Sequence, residues 1–167
     1  DKECIEMAVQ LSEARHSLET IQENREENLK LQQKILFLSE RYKELQKLRL
    51  ENSVIYKKLL SISAKLQPNN NKPLLTNKLW NTLIIELNRI YPNFHSSLYE
   101  QCAGLSEEEW RYCCLHVLGF DGNNEAVLLG IIPSSIWMKR SRIKQKLGSN
   151  LPKEQTLHHI LVNIFLN

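Results

Sequence analysis

Along residues 1–67, apolar side chains recur at alternating spacings of three and four. That spacing puts one stripe on an α-helix. The stripe runs through Cys4, Met7, Leu11, Ala14, Leu18 and Ile21, then Leu31, Ile35, Leu38, Tyr42, Leu45 and Leu48, and after Asn52 through Ile55, Leu59, Ile62 and Leu66. No Pro or Gly occurs before Pro68, and good helix formers dominate, so the pattern predicts one unbroken helix, ~100 Å long at the usual rise. A solitary helix of that length has no core, so its stripe needs another helix to cover it. A coiled coil pairing two copies of the chain is expected, with Leu11, Leu18, Ile21, Leu31, Ile35, Leu38, Tyr42, Leu45, Asn52, Ile55, Leu59 and Ile62 at its seam. Arg25 and Asn28 interrupt that seam, and consecutive gaps of three near Leu31 and Leu48 shift its register. Asn52 falls at an a-type position, where a buried amide favours an in-register pair. The competing arrangement is an antiparallel hairpin turning near Arg25–Asn28, which holds no turn residue.

The text changes at Pro68-Asn69-Asn70-Asn71-Lys72-Pro73, where two prolines around three asparagines predict a linker over 68–73. Residues 74–167 then read as a compact helical domain. Leu79, Trp80, Leu83, Ile84, Leu87 and Ile90 share a helical face, with Thr76 or Asn77 as cap and Pro92 as stop. A shorter helix follows over Phe94–Cys102. Ser106 with Glu109 has the spacing of a capping box and predicts a helix running to Leu118. Asn123–Leu129 and Ser134–Leu147, separated by Gly130-Ile131-Ile132-Pro133, read as a helix-turn-helix over about 123–148. Pro152–Leu166 predicts a last amphipathic helix packed back on the domain through Leu157, Ile160, Leu161, Ile164 and Phe165. The fold class expected is all-α.

Charge enters locally. The 167 residues carry 22 Lys+Arg and 19 Asp+Glu, a net charge of only +3, yet residues 139–146 hold five basic side chains and no acid. A cluster like that on one short helix suits a polyanion such as the DNA backbone. Helical geometry turns Ile136, Ile143 and Leu147 toward the core, which leaves Ser134, Met138, Ser141 and Gln145 facing outward, flanked by Trp137, Arg142 and Lys144. Arg142 and Gln145 can bond base edges, Ser134 and Ser141 can reach base or phosphate, and Trp137 or Met138 can touch a thymine methyl. Lys139, Lys144 and Lys146 are better placed for phosphates, while Arg140 is expected along the domain surface, ion-paired or snorkelling.

Together, Leu105-Ser106-x-x-Glu109, Gly119-Phe120, Ala126, Leu129, Ile131, Ser135-Ile136 and Arg142-Ile143-Lys144-Gln145-Lys146-Leu147-Gly148 resemble the LuxR-type helix-turn-helix. The form they are most similar to is the one at the C-terminal end of Bacteroidetes membrane-bound regulators with tetratricopeptide repeats. That resemblance covers roughly residues 76–148, and the coil before it is similar to the segment after the membrane span in such proteins. It implies a transcriptional regulator whose partners are double-stranded DNA, a second copy of itself, and an upstream sensor or membrane region. It also implies that Ser135 and Trp137 face DNA. The chain departs from the family pattern at Asn124-Glu125-Ala126, which puts a charge where an apolar residue is usual, and at Ile132, where a capping Ser is usual. The alternative is an interaction scaffold whose helix-turn-helix does not bind DNA.

Other chemistry is sparse. The longest run free of charged and strongly polar residues, Ala126–Ile132, is far short of the ~20 residues that cross a bilayer. Cys4, Cys102, Cys113 and Cys114 lack a C-x-x-C and read as free thiols of a cytoplasmic protein. Cys113 and Cys114 are adjacent, so they point about 100° apart on a helix and, with Cys102 and His116, make a poor zinc set. No phosphate loop, dinucleotide fingerprint or zinc-protease motif occurs. No cofactor, metal or enzymatic activity is expected. The chain opens on Asp1, so a processed piece, or the cytoplasmic part of a membrane-anchored protein, is expected.

Overall fold

The computed structural model describes residues 2–65, 72–148 and 154–166, with the side chains of Glu3, Phe165 and Leu166 outside the description. Most of the expected linker, with Leu66, Pro152 and the Phe165 contact, therefore lies outside the described residues. The described residues form eight helices and no strand: α1 (Lys2–Asn52), α2 (Val54–Ala64), α3 (Asn77–Ile90), α4 (Phe94–Gln101), α5 (Glu107–His116), α6 (Gly122–Leu129), α7 (Pro133–Leu147) and α8 (Leu157–Leu166). None of these helices is long and apolar enough to cross a membrane.

The chain divides into two units, Asp1–Glu44 and Leu45–Asn167. The first is the part of α1 that ends at Glu44, and its described side chains are all exposed except Lys43, which is half-buried. Leu11, Leu18, Ile21, Leu31, Ile35, Leu38 and Tyr42 lie open along it.

The second unit begins earlier than the sequence pattern suggests. The helix expected over 1–67 is broken at Ser53, whose backbone is extended (φ −68°, ψ 147°). Its Oγ accepts the Tyr56 N–H at 3.3 Å and its hydroxyl donates to the Leu50 carbonyl at 2.6 Å. One serine thus ends α1 and caps α2. Ile55 and Leu59, expected at a seam between chains, are 3% and 0% exposed inside this chain's own core, and Ile62 packs half-buried against it. Asn52 is exposed at the last residue of α1 and satisfies no buried seam. The reason is physical: three-four spacing specifies an apolar stripe but not which helix covers it. Here α2 lays that stripe chiefly on α6.

The remaining helices start where their caps dictate. Thr76 Oγ1 accepts the Leu79 N–H, and Ser106 and Glu109 complete a capping box at α5. Asp121 caps α6 through the Asn124 N–H at 2.7 Å. Gly130 ends α6 at φ 65°, and a Cβ there would stand 2.5 Å from the Lys72 carbonyl carbon and the Pro73 nitrogen. That close approach lets Leu74 and Leu75 N–H both bond to the Leu128 carbonyl, pinning the chain that enters α3 against α6. Leu83, Leu87, Phe94, Leu115, Leu128 and Leu161 are fully buried and knit α3, α4, α5, α6 and α8 into one core.

Candidate nucleic-acid interface

Pro133 occupies the first turn of α7, where its missing N–H costs nothing, and Ile132 precedes it without a side-chain cap. The helix is anchored by Ile136 (1% exposed) and Ile143 (0%), with Leu147 half-buried against the core. The opposite side is open: Ser134, Trp137, Met138, Ser141, Arg142, Gln145 and Lys146 are exposed, while Ser135 is half-buried. Trp137 is 72% and Met138 54% exposed, so this face carries more bare apolar surface than a solvated cationic strip needs.

The five cations do not share one fate. Lys139 pairs with Glu108, and Lys146 pairs with Glu109 at 2.6 Å while donating to the Gly104 carbonyl at 3.2 Å. Lys144 donates to the Gln155 carbonyl. Arg140 turns inward to Glu125 at 2.9 Å. Arg142 is exposed and makes no ion pair or hydrogen bond among the described residues. The acids at the start of α5 thus face two lysines of α7. Burial alone would raise the Glu109 carboxyl, but Lys146 and the Ser106 N–H bond to it and hold it below the ordinary carboxylate range.

The one charge in the apolar run of α6 proves to be structural. Glu125 is fully buried on α6, and three side chains from two other helices satisfy it. The Tyr112 hydroxyl donates to one oxygen at 2.6 Å, His116 Nδ1 bonds the other at 2.6 Å, and Arg140 adds a charged donor at 2.9 Å. Arg140 Nε also donates to the Tyr112 oxygen at 3.0 Å, closing the ring of contacts. Tyr112 and His116 lie one turn apart on α5 and stack at 5.5 Å. Burial, then the Glu125 charge, pushes the Tyr112 phenol well above its ordinary value, so it stays a donor. The network fastens α7 to α5 and α6 through polar bonds. Its sequence signal was present: a Tyr and a His one turn apart, facing a lone acid in the apolar run of α6.

His116, placed with the cysteines in the sequence reading, is bound through Nδ1 to Glu125. Cys102, Cys113 and Cys114 are buried, and no group of three metal-binding side chains occurs among the described residues. Burial, with Cys102 and Glu109 nearby, pushes the Cys113 thiol up to about 12. A thiol so protonated is a poor nucleophile.

No family model matches the chain, and no curated protein or solved structure matches it either.

Proposed function

We propose that the chain is a DNA-binding transcriptional regulator of the LuxR-like helix-turn-helix kind, which reads the major groove with the outer face of α7 and pairs through α1. The observation that carries this reading is the open outward face of a firmly anchored helix: Ser134, Trp137, Met138, Ser141, Arg142 and Gln145 are all exposed. Arg142 and Gln145 offer donors to base edges, and Lys139 and Lys146 reach phosphates by exchanging Glu108 and Glu109 for the backbone. Leu11, Leu18, Ile21, Leu31, Ile35, Leu38, Tyr42 and Leu45, exposed in one chain, form the seam of a parallel pair that sets two reading heads side by side.

A second reading is favoured by a specific observation. Trp137 and Met138 are bare, and four of the five cations already have partners in the chain. Both suit a scaffold that docks a protein on α7 instead of DNA.

Titration of a fluorescent duplex pool at two salt concentrations separates them. The DNA reading expects binding whose logarithm falls by ~0.9 per neutralised phosphate as log salt rises, with Lys139→Ala lowering that slope by about one phosphate and Arg142→Ala weakening binding about tenfold at either salt concentration. Absence of duplex binding, or binding that Arg142→Ala leaves unchanged, overturns it.

A further inference from the structure

On the DNA reading, α7 meets the bases by its first turns while α6 crosses the duplex backbone. Phosphate contacts at that end would fix the register of the helix in the groove. Yet the sequence contains neither Lys nor Arg between Arg111 and Lys139, so α6, the turn after it and α7 as far as Met138 hold no strongly basic side chain. All the cations of α7 lie at 139–146, toward its other end.

A distant stretch of chain brings a cation to that spot. Residues 72–75, which lead into α3, are tied to the end of α6: the Leu74 and Leu75 N–H groups donate to the Leu128 carbonyl at 3.0 and 3.2 Å. A Cβ on Gly130 would stand 2.5 Å from the Lys72 carbonyl carbon, which puts the two α-carbons within about 6 Å of each other. Gly130 closes α6, and Pro133 opens α7 three residues later. Lys72 therefore stands beside the turn that joins them. Its backbone is held on the far side too, because Pro73 restricts the residue before it to extended conformations and Leu75, 6% exposed, is anchored in the core. The Lys72 side chain is exposed and makes no ion pair or hydrogen bond among the described residues. Unlike Lys139 and Lys146, it has no carboxylate to give up before it takes a phosphate.

We propose that Lys72 is a phosphate-binding residue of the α7 interface, which grips the duplex backbone next to the first turn of α7. The inference rests on the DNA reading and deepens it: the helix-turn-helix borrows from the segment before α3 the cation that its own first half lacks. A fixed backbone under a free ammonium leaves little but the side chain to be ordered on binding. The glycine at position 130 gains a purpose as well, since any side chain there would push the Lys72 backbone away from the turn.

Salt-dependent titration of a fluorescent duplex pool with the full chain tests it, comparing the unaltered protein with Lys72→Ala, Lys72→Arg and Lys57→Ala. Lys57 is the control: it is exposed and carries the same charge, but its neighbour Tyr56 packs on Phe120, just before α6 begins. Lys72→Ala is expected to lower the log–log salt slope by ~0.9, to weaken binding about tenfold at ~50 mM salt, and to leave the ranking of duplex sequences as it was. Lys72→Arg keeps the slope, Lys57→Ala leaves it unchanged, and the urea midpoint of Lys72→Ala stays where it is. An unaltered slope in Lys72→Ala, an equal loss in Lys57→Ala, or a binding loss that comes with a lowered urea midpoint overturns the proposal while the DNA reading stands. No duplex binding by the unaltered chain defeats the DNA reading, and this proposal with it.

Discussion

Replacing Arg140 with Met removes one charge from a largely buried cluster while keeping the apolar stem that covers it. Glu125 is 0% exposed and bonded by Tyr112, His116 and Arg140, and of these Arg140 alone is a permanent cation. Breaking a buried pair from one side costs about 3–5 kcal/mol, because the surviving charge is left uncompensated. The Arg140 side chain is 33% exposed, so water can enter in its place, and His116 still bonds the carboxylate. The expected loss is therefore the low end, ~3 kcal/mol, or a melting shift of roughly 10 °C for a unit of this size. Glu125→Gln should cost less, about 1–2 kcal/mol, since the freed Arg140 head can turn to solvent. The double variant should fall short of the summed losses by about 1–2 kcal/mol. Tryptophan fluorescence in a urea series is the assay, because Trp80, Trp110 and Trp137 all lie in the second unit and the exposed helix of residues 2–44 contributes nothing. A loss under ~0.5 kcal/mol for Arg140→Met, or additive single variants, would refute the claim that Glu125 and Arg140 act as one unit.

Gly130→Ala should cost at least ~2 kcal/mol in the same assay, since a side chain at φ 65° is strained and its Cβ meets the backbone of Lys72 and Pro73. Glu108→Gln releases Lys139 and should tighten duplex binding about threefold at low salt, with the gain vanishing at high salt; unchanged affinity at low salt counts against the Lys139–phosphate contact. Burial, and then the neighbouring His116, lowers the His158 imidazole below its usual value, while its Nε2–H donates to the Val117 carbonyl at 3.2 Å. A depressed value means the unfolded chain binds the proton more readily, so this stability is full above about pH 6.5 and is lost as pH falls toward the folded value. His158→Gln should flatten the fall in urea midpoint between about pH 6.5 and 5, and an unaltered slope would assign that fall to other groups.

What could be read from the chain was local. Thr76, the Ser106–Glu109 box, Gly130 and Pro133 fix helix ends through bonds to backbone within a few residues, and such signals do not depend on the rest of the fold. The inward line Ile136–Ile143 was equally legible, because helical period alone sets which side chains share a face. Ser53 was missed although it is a good cap: the heptad spacing runs on past it, and nothing local says that the stripe beyond it changes partner.

The sequence by itself determined an all-helical chain, a long first helix, and the outward and inward sides of α7. Only the tertiary structure decided that Ile55 and Leu59 serve the chain's own core, that Glu125 is a hub rather than a blemish, and that most of the cations of α7 are already engaged. The division has one physical cause. Backbone caps and periodicity act over a turn or two, whereas burial and ion pairing depend on residues far apart in the chain meeting in space, as Tyr112, Glu125 and Arg140 do.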